Sequence, residues 1–484
     1  MTGTASGLVN EDSPLTMLVC GTSAGALAAL AVLTPDWRIP AAAAVAAVLL
    51  MLCFWVLIEP QRWWIGFVVT VLLLPPFPLA LGNAGPHIAL VFAALGVWCS
   101  VAHFGHWRIE TDGVTLALAS FWCWLLVTTF VAMLYSGVPV ALGGMARVGL
   151  FGIGVFSYFY IAHGPGRFSN VDVFRWSRWV FCLAAISAAW ASIEFYFQWP
   201  AFGRFAEQFV WLPFGVFRRA QGVFREAGML GNVCAMFLVM AAVASARVEV
   251  RRRIAPTFWL LMGSSALLCG LVLSFSRSSL VNLAAAGTAL LLLERRRIQF
   301  GRLLGFIAAA LLITGTAAAL AAPVVSAMYI RRLSDTFSYA AVSPQVILAG
   351  RLEAWSLLLE RLADQPSVLP AGVGFKTLPY TSYFGEPLVA DNMYLSLLAE
   401  TGVIGLLLMA VLSIAMMSAA SRARRSENIA AWFCGTWFLC FWVGELAQML
   451  FVDVLTYWRV LPLAFFVLAL ARREVSRTAA SAGA

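Results

Sequence analysis

The sequence predicts an all-α protein that crosses a membrane many times. Hydrophobic residues make up 62% of the 484 positions and charged residues 11%, whereas soluble domains carry about 25% charged residues. Apolar runs long enough for a membrane helix of ~20 residues recur along the chain. They begin near Leu15, Ala41, Trp64, Ile88, Val114, Val148, Trp179, Met229, Phe258, Leu280, Leu303, Met393, Ala431 and Leu455. We therefore expect about 12 to 14 transmembrane helices and a long loop that carries an amphipathic helix.

The basic residues indicate how these helices are oriented. If the N-terminus lies inside and the spans alternate, the short inside loops hold most of the arginines, as the positive-inside rule requires. Both termini are then cytoplasmic, and the segment Met1–Pro14 lacks the pattern of a cleavable signal peptide. This topology accounts for the net charge of +9, so we expect no nucleic-acid partner.

The remaining basic residues concentrate on the opposite side in three places: residues 199–225, the turn at Arg277 and residues 323–376. A charge close to the hydrocarbon is costly, so these residues are functional candidates. We therefore divide the chain into three parts. They are an N-terminal transmembrane bundle (1–197), a catalytic region (198–473) that includes the long loop (323–391), and a cytoplasmic tail (474–484).

Arginines near the outer ends of the spans suggest an anion site, because guanidinium forks match phosphate oxygens. Arg218, Arg219 and Arg225 crowd the start of one span, and the alternative is that they anchor the protein at lipid headgroups. Arg277 lies in a short turn, where it could instead cap helix carbonyls. Arg351 opens the amphipathic helix, where it could be an ordinary surface charge.

Asp391 is the candidate general base, because it precedes a span next to this arginine-rich region. Its alternative role is that of a helix N-cap. Asn392 and Tyr394 follow it as candidate substrate-binding residues. Glycines that permit a tight turn or a close backbone approach are Gly222, Gly372, Gly374, Gly402 and Gly405. The carboxylates expected to pair with the outer arginines are Glu400, Glu445 and Asp453.

Several kinds of chemistry find no support in the sequence. The four histidines do not cluster, and the nine cysteines lie in apolar runs without a CxxC motif, so neither a metal site nor a disulfide framework is indicated. A P-loop and a Rossmann glycine pattern are also missing. We therefore expect no metal and no cofactor.

Taken together, these motifs resemble those of the O-antigen ligase and polymerase family of bacterial membrane glycosyltransferases. The matching positions are Arg219, Gly222 and Phe224 (R-x-x-G-x-F), Ser276 and Arg277 (Ser-Arg), Arg351 and Trp355 (R-x-x-x-W), and Gly372 and Gly374 (G-x-G). The family's last motif is His-Asn, nine residues, then G-x-x-G. Asn392, Gly402 and Gly405 fit this spacing, but Asp391 stands in place of the histidine.

The resemblance implies a metal-independent glycosyltransferase of the bacterial inner membrane. Its donor would be a glycan on undecaprenyl pyrophosphate, presented among the membrane lipids on the periplasmic side, and an acceptor-glycan hydroxyl would attack it. The implied catalytic residues are Asp391, Arg277 and Arg219, and the implied substrate-binding residues are Arg218, Arg225, Arg351, Asn392 and Tyr394.

Asp391 also bears on which activity is expected. The histidine that it replaces is central to the ligases, so we expect a polymerase of lipid-linked repeat units in O-antigen or exopolysaccharide synthesis. One alternative is a ligase that transfers the glycan to lipid A core or to a protein. A second is a non-enzymatic polysaccharide transporter or flippase, which would carry paired broken helices in two related halves.

Overall fold

The structure, a computed structural model, describes residues 61–77, 86–164, 172–200, 207–212, 215–295, 300–321 and 351–482, and a few positions at 47–59 and 327–338. Its helices are α1 (Arg62–Leu73), α2 (Ala89–Ala102), α3 (Gly113–Ser136), α4 (Val138–His163), α5 (Val173–Phe197), α6 (Ala227–Ala246), α7 (Val248–Ile254), α8 (Thr257–Leu273), α9 (Arg277–Glu294), α10 (Phe300–Ala321), α11 (Arg351–Asp364), α12 (Met393–Arg425), α13 (Ile429–Gln448) and α14 (Leu461–Ala482). Short 3₁₀ helices lie at Phe104–His106, Pro366–Val368 and Val454–Thr456.

Six helices of the described chain are long and apolar enough to cross a membrane, namely α3, α4, α5, α6, α12 and α13. Helices α7 and α8 would add a seventh span if counted together, although they are bent by 81°. The all-α polytopic class is thus confirmed. The predicted number of spans stays a prediction, because the run near Leu15 and most of the run near Ala41 lie outside the described residues.

A β-hairpin interrupts the helices where the sequence predicted only a loop. Strand β1 (Phe209–Leu212) pairs antiparallel with β2 (Gly215–Arg218), with Phe209 opposite Arg218. The hairpin ends directly before Arg219, and the amide of Ala220 then donates to the carbonyl of Leu273 at the end of α8 (3.0 Å). The segment that enters α6 is therefore fixed against the turn that precedes α9.

Helices α6 and α13 form the centre of the bundle. Helix α6 packs against α8, α9 and α13, and α13 packs against α9, α12 and α14. Asn232 of α6 and Asn282 of α9 both donate to the same carboxylate oxygen of Glu445 in α13, at 2.6 and 3.1 Å. Glu445 thus has side-chain amides as partners rather than the expected arginine, and the cluster aligns the three helices.

A kink in α12 receives the loop that follows α11. Gly402 has φ 69° inside the helix, and Gly372 in the loop has φ 72°, a conformation that glycine adopts without strain. A Cβ on Gly402 would collide with the carbonyl of Pro370, and one on Gly372 with the carbonyl of Glu400. The amides of Gly374 and Val403 donate to the carbonyls of Glu400 (2.8 Å) and Leu369 (2.7 Å).

This docking explains two of the five glycines singled out in the sequence. Among the others, Gly222 and Gly374 also have positive φ angles, and Gly405 is buried one turn after the kink. The side chain of Trp124 in α3 donates to the carbonyl of Thr401 (2.9 Å), directly before the kink. Helix α3 packs on α12 and α4 packs on α14, so helices from both sides of the predicted boundary at residue 197 are in contact.

The two ends of the central helices differ in charge. Helices α6, α9 and α12 all begin at the end of the bundle that the hairpin and the docked loop cover. Their other ends carry or precede the arginine-rich segments at 251–253 and 422–425. The predicted tail also begins at that second end, where α14 continues through residue 474 to Ala482.

Candidate functional site

A cavity of about 440 Å³ lies where α6, α9, α11 and α12 begin. Its lining includes Arg219, Glu226, Arg277, Arg351, Asp391 and Tyr457. We call it the arginine cavity, after its three guanidinium groups. The three residues expected to be catalytic, Arg219, Arg277 and Asp391, therefore share one hollow although 172 positions (391 − 219) separate the first from the last.

Arg219 is held on the cavity wall by the backbone around it. It follows strand β2, and its amide donates to the carbonyl of Gln208 (2.8 Å). Its Nε donates to the carbonyl of Ser274 (2.8 Å), in the turn between α8 and α9. One guanidinium edge is thereby anchored, so that the position of Arg219 is coupled to the turn that carries Arg277.

Arg277 is the first residue of α9, and Ser276 supplies the cap of that helix. The Ser276 side chain accepts a hydrogen bond from the amide of Ser279, and Phe275 before it has the left-handed φ of 50°. Within the described residues the Arg277 guanidinium makes neither a hydrogen bond nor an ion pair, although Arg351 is close enough to repel it. The carbonyls at the end of α8 that Arg277 was considered to cap accept instead from Ala220 (Leu273 carbonyl) and from Arg219 (Ser274 carbonyl).

Asp391 faces Arg351 across the mouth of the cavity. Its Oδ2 lies 3.3 Å from a terminal nitrogen of Arg351, and the Asp391 side chain is 49% exposed. Trp355 of α11 donates to the carbonyl of Ala390 (2.6 Å), which ties the helix of Arg351 to the segment of Asp391. The backbone of Asp391 is left-handed, with φ 45°, a strained conformation for a residue other than glycine and one that is concentrated at functional sites.

Asn392, and not Asp391, caps helix α12. Its Oδ1 accepts hydrogen bonds from the amides of Tyr394 (3.0 Å) and Leu395 (3.2 Å). The alternative of Asp391 as the N-cap is therefore wrong, and its carboxylate is directed elsewhere. Tyr394 in turn donates from its hydroxyl to the carbonyl of Leu446 (2.8 Å), so it joins α12 to α13.

Two other expected anion-binding residues lie apart from the arginine cavity. Arg218 is buried and forms an ion pair with the buried Glu194 of α5. Arg225 lines a neighbouring cavity instead. Neither Asn392 nor Tyr394 lines the arginine cavity, so four of the five predicted substrate-binding residues lie elsewhere and Arg351 alone lines it.

The neighbouring cavity has a volume of about 680 Å³ and shares Glu226 and Asp391 with the arginine cavity. Its charged lining residues are Arg147, Arg225, Glu226, Lys376, Asp391, Glu400, Asp453 and Arg459. We call it the mixed-charge cavity. Lys376 forms an ion pair with Asp453 there, and Glu400 accepts from the amide of Leu378 (3.2 Å). These two carboxylates, like Glu445, thus have partners other than the expected arginines.

Glu226 was not identified from the sequence, yet its side chain lines both cavities. It stands at the N-cap position of α6 without a capping hydrogen bond from its side chain. Burial raises the pKa of Glu226 above its usual value, while Arg225 and Arg219 oppose this shift and Asp391 reinforces it. Burial likewise raises the pKa of Tyr457, whose ring lines the arginine cavity. The spacing of charges along the chain offered no signal for either residue.

The fold and this site define a polytopic membrane protein with a cationic cavity and an acidic group at one end of its helices. Residues 262–410 match the family model described as O-antigen ligase. The resemblance found in the sequence is thus confirmed over these residues, which make up less than a third of the chain. The match covers Arg277, Arg351 and Asp391, whereas Arg219 precedes it. No curated protein matches the sequence.

Proposed function

We propose that this protein is a polymerase that joins lipid-linked oligosaccharide repeat units at the periplasmic face of the inner membrane. The observation that carries this proposal is the arginine cavity, where Arg219, Arg277 and Arg351 surround one hollow and Asp391 stands at its mouth. The arginine-rich helix ends lie at the opposite end of the bundle, and under the positive-inside rule this supports a periplasmic position for the cavity.

The proposed reaction is a glycosyl transfer from undecaprenyl pyrophosphate. A hydroxyl oxygen of the acceptor sugar forms a bond to the anomeric carbon of the donor glycan. The bond from that carbon to the pyrophosphate oxygen breaks, and its electron pair leaves with the lipid pyrophosphate. The hydroxyl proton passes to a general base, so that atoms and charges balance.

The arginines would stabilise the leaving group. Negative charge grows on the pyrophosphate as the glycosidic bond breaks, and fixed cations in a water-poor site stabilise such charge strongly. Arg277 suits this role because no described residue pairs with it. Arg219 is held by Ser274, which presents its remaining nitrogens in a fixed orientation. In this mechanism the guanidinium groups provide the positive charge that a metal ion provides in other transferases.

Asp391 would act as the general base. It lies on the wall that the two cavities share, so its carboxylate can face an acceptor hydroxyl on one side and the donor on the other. The ion pair with Arg351 keeps it oriented. A positioned carboxylate of this kind contributes about 10²–10⁴-fold to a proton transfer.

The second candidate function is a ligase, which the description of the matched family favours. The two activities can be separated with purified protein in lipid nanodiscs and lipid-linked repeat units as the sole glycan. A polymerase forms lipid-linked chains of two or more repeats and releases undecaprenyl pyrophosphate. A ligase forms product only after lipid A core or an acceptor protein is added. The absence of any product under both conditions would contradict a transferase.

Glu226 leads to a prediction about the binding of undecaprenyl pyrophosphate at different pH values. Its raised pKa means that the carboxyl becomes neutral as the pH falls through a value above the usual one. Loss of this negative charge strengthens anion binding in the cavity. We therefore expect Glu226→Gln to bind undecaprenyl pyrophosphate about 3- to 30-fold more tightly than the wild type does at high pH. At low pH we expect the two proteins to bind it equally.

This comparison is made by titrating the protein with undecaprenyl pyrophosphate at a series of pH values and following tryptophan fluorescence. The matched control is Glu353→Gln, which removes an exposed carboxylate from α11 that lines neither cavity. A constant ratio of affinities between Glu226→Gln and wild type at every pH would show that Glu226 does not titrate beside the anion.

A further inference from the structure

The mixed-charge cavity is a second hollow, which the donor site described above does not fill. It adjoins the arginine cavity along the wall formed by Glu226 and Asp391. At about 680 Å³, it falls in the size range of ligand pockets, which is about 300–1,000 Å³. Its lining therefore identifies what kind of molecule it suits.

The charges around this cavity balance one another. Four cationic side chains, Arg147, Arg225, Lys376 and Arg459, face four carboxylates, Glu226, Asp391, Glu400 and Asp453. In the arginine cavity, by contrast, three arginines face only Glu226 and Asp391. The two cavities thus differ in the charge of the ligand they favour, because a site with net positive charge favours an anion and a site with balanced charge does not.

The cations of the mixed-charge cavity are also largely engaged by the protein itself. Lys376 pairs with Asp453. Arg147 donates to the carbonyl of Lys376 (2.6 Å) and to the hydroxyl of Tyr380 (2.8 Å). Arg459 donates to the carbonyl of Val223 (2.9 Å). These groups are consequently fixed in place, and little unpaired positive charge remains for a phosphate.

Some polar atoms of the lining residues, just behind the cavity surface, nevertheless lack partners among the described residues. They are Oε2 of Glu400, Oδ1 of Asp453 and Nε of Arg225, and all three atoms are buried. Glu400 itself is only 2% exposed. A buried polar atom without a hydrogen bond is unfavourable, so a ligand that offers both donors and acceptors, toward which these side chains can rotate, is favoured. A hydroxyl group offers both.

We propose that the mixed-charge cavity binds the acceptor saccharide, as an uncharged and hydroxyl-rich ligand recognised by Glu400 and by the Lys376–Asp453 pair. This inference rests on the proposed function, because it supplies the second substrate of the same transfer. An acceptor in this cavity would present its hydroxyl to the wall that carries Asp391, opposite the donor. Tyr380 and Trp458 add aromatic surface to the lining, against which the apolar faces of sugar rings can pack.

Lys376 provides a direct probe of this cavity. It is the only lysine in the sequence, and burial lowers its pKa to about 8, so we expect slow methylation at pH 8.5 through the neutral fraction of the amine, against which the ion pair with Asp453 acts. Purified protein in nanodiscs is reductively methylated with ¹³C-formaldehyde, and the rate at Lys376 is measured by peptide mapping. The probes are undecaprenyl pyrophosphate and the lipid-free repeat glycan released by mild acid from the lipid-linked pool of the producing cells.

We expect the lipid-free glycan to slow the methylation of Lys376 at least about fivefold, and undecaprenyl pyrophosphate to leave it unchanged. Protection by undecaprenyl pyrophosphate, or lack of protection by saturating glycan, would overturn the inference. This measurement needs no turnover. If the proposed transferase activity fails while the glycan protects Lys376, the cavity binds a saccharide for another purpose.

Asp453→Asn tests recognition through kinetics. The change removes the partner of Lys376, and loss of one charged hydrogen bond corresponds to a rise of about 10- to 100-fold in KM for the glycan acceptor. Affinity for undecaprenyl pyrophosphate should stay within about threefold of wild type, because Asp453 does not line the arginine cavity. Glu386→Gln, which alters an exposed carboxylate of the loop that carries Lys376, is the control. If affinity for undecaprenyl pyrophosphate fell as much as KM for the glycan acceptor rose, this would contradict an acceptor site.

Discussion

Replacement of Asp391 by asparagine is expected to lower the rate of glycan transfer by about 10²–10⁴-fold. The amide keeps the size of the side chain but does not accept the proton of the attacking hydroxyl. Because Asn392 rather than Asp391 caps α12, the change should leave the helix start intact. Cells that carry Asp391→Asn as their only copy should accumulate lipid-linked glycan of a single repeat unit, measured by chromatography of the extracted lipid carrier.

The control for this change is Asp364→Asn, which alters an exposed carboxylate at the end of α11. Both variants should reach the membrane in the amount of the wild type, as judged by immunoblotting. A normal distribution of chain lengths in the Asp391→Asn cells would refute the role of general base. Polymer that forms but stays on the carrier lipid would identify the protein as a ligase.

Arg277→Ala is expected to lower turnover by about 10²–10³-fold, which is the usual effect of removing one group that stabilises developing negative charge. Arg277→Lys should recover only part of this loss, because an ammonium carries the charge but lacks the planar fork that fits phosphate oxygens. Ser276 and not Arg277 caps α9, so neither variant should unfold the helix start. Turnover is measured with purified protein and lipid-linked repeat units.

Arg361→Ala removes an exposed arginine of α11 and serves as the matched control for charge. Undecaprenyl pyrophosphate should bind Arg277→Ala more weakly than it binds Arg361→Ala. If all three variants turn over at the rate of the wild type, the arginine cavity is not the site where the pyrophosphate leaves.

The sequence identified the donor side of this site because its residues lie in short motifs. Arg219, Arg277 and Asp391 each precede or begin a helix of the bundle, and Arg351 begins the amphipathic helix; helices that begin at the same face of a membrane bring such residues together. The family match over residues 262–410 includes three of these four. Their assembly around one cavity agrees with the expected topology.

Arg218 shows why the clustering of arginines along the chain does not reveal which way each side chain points. It is the last residue of strand β2, and successive side chains of a strand point to opposite faces. Arg218 therefore reaches Glu194 of α5 while Arg219 lines the cavity. An apolar loop such as residues 207–218 gave no reason to expect a strand, so the alternation was not visible in the sequence.

The mixed-charge cavity was not predictable for a different reason. Arg147 lies in α4, Lys376 in the loop, and Asp453 and Arg459 after α13, so that no motif joins them. These residues come close together because α4 packs against α14 and the loop packs against the kink of α12. Apolar periodicity predicts that these helices exist but not which helices pack against one another.

The docking of the loop into α12 has a consequence for how this region tolerates change. The contacts that hold the first turns of α12 join main-chain atoms, from Gly374 to Glu400 and from Val403 to Leu369. Near Asp391 the amide of Met393 donates to the carbonyl of Met449 (2.8 Å), so main-chain bonds tether the stretch between the kink and Asp391 at both ends. Exchanges of single surface residues there should be harmless, whereas the gain or loss of even one residue between Gly374 and Gly402 would carry the carboxylate away from its arginines.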